Sequence, residues 1–255
     1  MSTISLIDTH AHYNSKTLDD LESRIAIAND NADIAKIINV GLDNDTSREA
    51  LLISQSNPKF YSTLGVHPLY EGQVERLEEL YYGCDNSKIV AIGETGIDTS
   101  GDITIQIKKF LESIALANRL NLPLIIHANT TKGAGIYANK ICLEIIKRYR
   151  PLYGFIFHYF QPDLELLAEI LKLGGYISVG ANITKPNAKK SLGVVRTIPI
   201  DKLIIETDYP FLTDNPSQSG KLTFNKICEL RKTDKVLMMK TLNKNATRLF
   251  PKLNN

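Results

Sequence analysis

A chain of 255 residues with 43% hydrophobic and 23% charged content sits at globular averages, which excludes disordered, fibrous and collagen-like classes. Its formal net charge of +2, from 30 Lys and Arg against 28 Asp and Glu, excludes a broad basic face, so a nucleic acid would be gripped by local charge near a site. No apolar run approaches the roughly 18 residues of a membrane span and the N-terminus lacks a basic leader region; the expected setting is the cytoplasm, with no membrane contact.

In chain order, eight short apolar, β-branched runs occupy 4–9, 35–40, 60–66, 89–92, 124–127, 154–158, 176–179 and 203–206. Each precedes a helix candidate: 17–32, 44–56, 73–84, 104–121, 136–149, 163–173, 187–196 and 222–244, the last broken near Thr233. The stripe Ile107, Phe110, Leu111, Ile114, Ala115, ended by Pro123, has the i, i+3/i+4 spacing of an amphipathic helix. Continuous rather than alternating apolar strands imply a parallel sheet covered on both faces. Eight strand–helix units in this length predict an α/β fold, a (β/α)8 TIM-type barrel forming a single domain over 1–255. An open doubly wound sheet is the alternative, but no G-x-G-x-x-G follows the first run. The three cysteines, Cys84, Cys142 and Cys228, are odd in number, widely spaced and in helical segments, which reads as reduced, mostly buried thiols.

All five histidines, at 10, 12, 67, 127 and 158, lie at or just beyond a strand end. In a barrel that end is the face where the βα loops build a site. His10-Ala11-His12 puts two imidazoles on one side of an extended segment, since side chains alternate with period two. Glu94 stands in Gly93-Glu94-Thr95-Gly96-Ile97-Asp98, where glycines let the backbone bend and turn a carboxylate inward. A carboxylate can bridge two cations, whereas an imidazole cannot; Asp98 reads as structural. His127 and His158 close successive apolar strands, and neutral imidazole is a common ligand for borderline cations. Asp208, after the eighth strand and next to the first, is read as a metal ligand and as base for the attacking water. Glu206 points the same way but deeper, in a supporting role. His67 in Gly65-Val66-His67-Pro68 either touches a substrate phosphate or hydrogen-bonds within a Pro-restricted turn. Lys132, Lys185 and Lys189 lie near βα loops as phosphate contacts or as ordinary solvated lysines.

The ordered set H-x-H, Gly-Val-His-Pro, Gly-Glu-x-Gly-x-Asp, strand-His, strand-His and Glu-Thr-Asp-x-Pro-Phe resembles the TatD family of metal-dependent deoxyribonucleases, from Asp8 to Phe250. The resemblance implies an amidohydrolase-type barrel and a two-metal phosphodiesterase acting at DNA or RNA ends. Carried over by residue, His10, His12 and Asp208 would hold one divalent cation (Mg, Mn or Zn), His127 and His158 a second, with Glu94 shared. Catalysis would fall to Asp208 and Glu94, and substrate contact to His67, Lys132 and Lys185. This chain departs from the pattern at Asn129, where many members carry an arginine two residues after the strand-ending histidine. It also has a Lys132-Gly133-Ala134-Gly135 loop, lacks an Arg-Asn-x-Pro segment after Asp208-Tyr209-Pro210, and places Tyr159 where a small residue is usual. These departures keep two alternatives in view. One is a metal-dependent hydrolase of another bond, such as an aminoacyl-tRNA ester, a small phosphoester or an amide. The other is a partner-activated subunit of a protein complex for nucleic-acid defence or processing.

Overall fold

The computed structural model describes residues 5–15, 20–131 and 136–254. The strands are β1 (Leu6–Ala11), β2 (Ile34–Asn39), β3 (Phe60–Leu64), β4 (Ile89–Asp98), β5 (Leu124–Asn129), β6 (Phe155–Phe157), β7 (Tyr176–Val179) and β8 (Leu203–Ile205). Each pairs in parallel with its sequence neighbour, giving one sheet in the order β1 to β8. Closure comes from the segment after β8, which lies against β1: the Asp208 N–H donates to the His10 carbonyl at 2.8 Å and the His12 N–H to the Tyr209 carbonyl at 2.6 Å. The Asp8 carboxylate clasps the same segment, accepting from the backbone and hydroxyl of Thr207 at 3.0 and 2.6 Å. The expected (β/α)8 TIM barrel is the observed fold.

The continuous apolar runs follow from burial on both faces. Leu124, Ile126, Phe155, Phe157, Ile177, Leu203 and Ile205 pack outward into the layer under the helices. Their alternates Ile125, Ile156, Tyr176 and Ile204 join Ile7, Ile38, Val40, Tyr61 and Val90 inside the barrel. Leu249, Phe250 and Leu253 complete that inner cluster. The helices are α1 (Leu21–Asp30), α2 (Asn44–Ser56), α3 (Val74–Tyr82), α4 (Ile103–Leu120), α5 (Tyr137–Tyr149), α6 (Leu164–Lys172), α7 (Lys189–Thr197), α8 (Pro216–Arg231) and α9 (Lys235–Leu249).

Two elements differ from expectation. β4 continues to Asp98 rather than stopping at Ile92, with an irregular register between Ile92 and Thr95. Gly93 and Gly96 carry it through at φ 140° and 143°. A Cβ at either would strike the carbonyl of Ile125 or of His127 on β5, so only glycine permits this approach. The last helix becomes two. Asn215 caps α8 by accepting from the Gln218 N–H, with a proline in the first turn, so the helix starts six residues before the expected 222. It stops at left-handed Lys232, and Asp234 caps α9. α9 then reaches back to β1, where the Asn243 side chain accepts from the Ile7 N–H at 3.1 Å and donates to the Ser5 carbonyl at 2.9 Å. Cys142 and Cys228 are buried, Cys84 is partly so, and none is in a disulfide; burial raises all three thiols, keeping them unreactive.

Candidate metal centre

Strand periodicity brings the chemistry to one mouth of the barrel. Two residues beyond inward Ile125 stands His127, beyond Ile156 stands His158, and beyond Ile204 stand Glu206 and then Asp208. His10 and His12 arrive on and just after β1, and Glu94 from β4. His10, His12 and Glu94 are at most 3% exposed. Asp208 and Tyr159, both beside the site, hold left-handed backbone at φ 52° and 42°, a conformation non-glycine residues adopt sparingly.

The donor atoms fall into two groups around Glu94. Its Oε2 lies 3.3 Å from His10 Nε2 and 3.7 Å from His12 Nε2. Asp208 Oδ1 lies 3.8 and 3.4 Å from the same two nitrogens, which are 3.1 Å apart. Its Oε1 lies 2.7 Å from His158 Nε2, 2.6 Å from His127 Nδ1 and 3.8 Å from His67 Nε2. Ligands at roughly 2.0–2.2 Å from a cation stand about 3.0–3.5 Å from each other, so the first group has the spacing of a coordination shell, and the two carboxylate oxygens face different groups.

The far sides of the rings set their orientation. The Val40 carbonyl accepts from His12 Nδ1 at 3.0 Å, which leaves a lone pair on Nε2 in the neutral ring. Asp98 Oδ2 takes His127 Nε2 at 3.1 Å. Carboxylates thus flank both nitrogens of His127. Glu206 Oε2 lies 3.7 Å from His158 Nδ1, while its oxygens accept from the Tyr159 N–H and the Ser178 hydroxyl at 2.6 Å each. His10 Nδ1 is buried with no hydrogen-bond partner.

Burial lowers His10 and takes His67 down to about 3, so both are neutral. Burial also opposes the charged forms of His158 and His127. There the carboxylates win: Glu94 and Glu206 push His158 well up, and Asp98 and Glu94 raise His127. Against the same burial, the charge of His158 and a hydrogen bond from His10 hold Glu94 well below the usual carboxylate range, and the imidazoles around Asp208, His12 first, lower it. The cluster thus sets two carboxylates held low among imidazoles, of which His127 and His158 are raised, so that a cation entering it would compete with protons for the same atoms.

His10 groups with His12 and Asp208, with Glu94 and His158 beside them, and His67 joins Glu94 and His127. His67 therefore sits among the ligand-type atoms, while its Nδ1 also accepts from the Leu69 N–H at 3.2 Å within its turn. Lys185 and Lys189 are exposed and do not line the cavity above the cluster, and Lys132 lies outside the described residues. That cavity, about 360 Å³, is also walled by Asn129 and Phe211, which the sequence motifs place near the mouth, and by Leu69, Tyr70 and Gln161, which sequence reasoning did not single out for the site. Their one signal was position, each lying just after a strand end or within the loop that follows it.

The sequence profile of the family described as "TatD related DNase" matches residues 7–251. The chain belongs to the TatD-related DNase family. Among relatives of this TatD chain, the uncharacterized metal-dependent hydrolase YabD of Bacillus subtilis is 34% identical, covering 96% of this chain and 98% of that protein. The Deoxyribonuclease Tat-D of Schizosaccharomyces pombe is 29% identical over 82% of this chain and 70% of its own length. The crystal structure of YjjV, a TatD homologue from Escherichia coli, superposes with a TM-score of 0.84 at 27% identity, covering 96% of this chain and 98% of that one. The TatD chain is a metal-dependent hydrolase by family, and among its described residues no helix is long and apolar enough to cross a membrane.

Proposed function

We propose that this protein is a nuclease that hydrolyses phosphodiester bonds of DNA, and of RNA by the same chemistry, from strand ends with two divalent cations. The observation that carries the reading is Glu94: its Oε2 faces His10, His12 and Asp208, and its Oε1 faces His127 and His158. His10, His12 and Asp208 would hold one cation and His127 and His158 the other, with Glu94 shared. Bound there, the ions would neutralise phosphate charge and make water a stronger nucleophile. Asp208 is ionised and open to the cavity, so it can take the proton of the attacking water.

End-labelled single- and double-stranded DNA, RNA and charged tRNA, each incubated with Mg²⁺, Mn²⁺ or Zn²⁺, test the reading. Chelator-sensitive release of nucleotides is expected, and Asp208→Asn should lower turnover on the order of 10³-fold. Cleavage indifferent to chelator and to that substitution would sink the mechanism, and hydrolysis confined to charged tRNA would replace the substrate. A His10→Ala/His12→Ala double variant should lose bound metal by elemental analysis.

A further inference from the structure

Among the described residues that line the cavity there is no lysine or arginine. Its walls are rings and amides. Phe211 is 51% exposed with its ring 5.0 Å from that of His12, and Tyr70 is 37% exposed with its ring 5.3 Å from that of His67. The Tyr70 loop is held from below by Lys109, whose ammonium donates to the Tyr70 carbonyl at 2.8 Å. Two apolar-faced rings thus stand partly bare beside the donor cluster.

A chain of hydrogen bonds fixes the amides. Asp98 Oδ2 accepts from Asn129 Nδ2 at 3.0 Å, and Asn129 Oδ1 accepts from Gln161 Nε2 at 3.2 Å. A carboxylate only accepts, so Asp98 sets which way the Asn129 amide points, and Asn129 in turn sets Gln161. The remaining atom, Gln161 Oε1, is buried and has no hydrogen-bond partner. A buried acceptor left this way carries a desolvation penalty that a donor from a ligand would relieve.

We propose that Gln161, Tyr70 and Phe211 form a nucleobase subsite that takes the base beside the scissile bond, an inference that rests on the nuclease reading above. Every base offers an N–H on its pairing edge, from an exocyclic amine or a ring nitrogen, that Gln161 Oε1 can accept. Every base also has a π face that Tyr70 or Phe211 can cover, which makes the grip tolerant of sequence. A contact made through rings and an amide also depends less on salt than a lysine or arginine contact to phosphate does.

The test uses the full chain loaded with Mn²⁺ and two end-labelled single-stranded oligonucleotides, identical except that one ends in an abasic residue at each terminus. The abasic ends should raise KM about tenfold, with kcat within about twofold. Gln161→Ala and Phe211→Ala should each raise KM on the ordinary ends and narrow the gap between the two substrates, while Phe211→Tyr should preserve the wild-type KM. Cleavage of both oligonucleotides with equal KM overturns the subsite and leaves the nuclease reading standing. No cleavage of either overturns the nuclease reading, and the subsite with it.

Discussion

At the lower end of the barrel Ile125, Ile156, Tyr176 and Ile204 meet Leu249, Phe250 and Leu253 in an apolar plug. Two residues further along the same strands His127, His158, Ser178 and Glu206 take those inward places. The plug gains from removing apolar area from water, whereas the mouth buries ionisable groups that are tolerable only because they are paired. The same strand geometry serves both, and the comparison teaches that stability and chemistry are divided along the barrel axis. A rigid lower half can carry a mouth whose groups are arranged for a ligand rather than for the fold.

The sharpest way to break that division is to damage the plug and watch the mouth. Phe250 is 1% exposed, and Phe250→Ala should cost about 3–5 kcal/mol by the cavity it leaves, measured by urea unfolding. Metal stoichiometry of the folded protein should be unchanged; if it falls in parallel, the two ends are coupled. The converse experiment is Glu206→Gln, which keeps the shape but removes the carboxylate behind His158. Metal affinity should fall about 10- to 100-fold in calorimetric titration, and the unfolding midpoint of the metal-free protein should fall as well, because the amide NH2 of glutamine cannot accept from Tyr159 or Ser178 as the carboxylate oxygen does. Unchanged affinity would make Glu206 a packing residue of the lower half.

The smallest effect belongs outside both regions. Glu78 pairs with Arg119 in two bonds of 3.0 and 2.7 Å, but Arg119 is 53% exposed, so after solvent screening Glu78→Gln should cost only about 0.5 kcal/mol. The hydrogen bonds from Arg119 lower the Glu78 carboxyl from its ordinary value of 4.5. The stabilisation is therefore present above that value and is lost as pH falls through the lower, folded-state value. Unfolding at pH 7 should show the difference between wild type and variant, and unfolding in strong acid should not.

Much of the barrel was legible because its strands are continuous apolar runs and because His127, His158 and Asp208 follow them at fixed spacing. The family motifs were equally plain in the sequence. The early start of α8 was not: Ser217, Ser219 and Gly220 give no apolar stripe, yet Ser219 and Gly220 are buried. The length of β4 was hidden too, since glycines that read as a turn instead admit close contact with β5. The rest of the cavity rim could not be read because Leu69, Tyr70 and Gln161 sit in loops without periodicity, and their meeting depends on the path of each loop. His67 lay between two readings, and the structure shows it bonded within its turn and placed among the ligand-type atoms.

The clasp of Asn243 on β1 sets an order of events during synthesis. Its partners Ile7 and Ser5 lie 236 and 238 positions away, so β1 is made long before the helix that secures it. Until α9 emerges, the inner faces of β1 and its neighbours lack Leu249 and Phe250 beneath them. Closing the barrel therefore waits on contacts between the two ends of the chain, the kind of long-range pairing that slows folding.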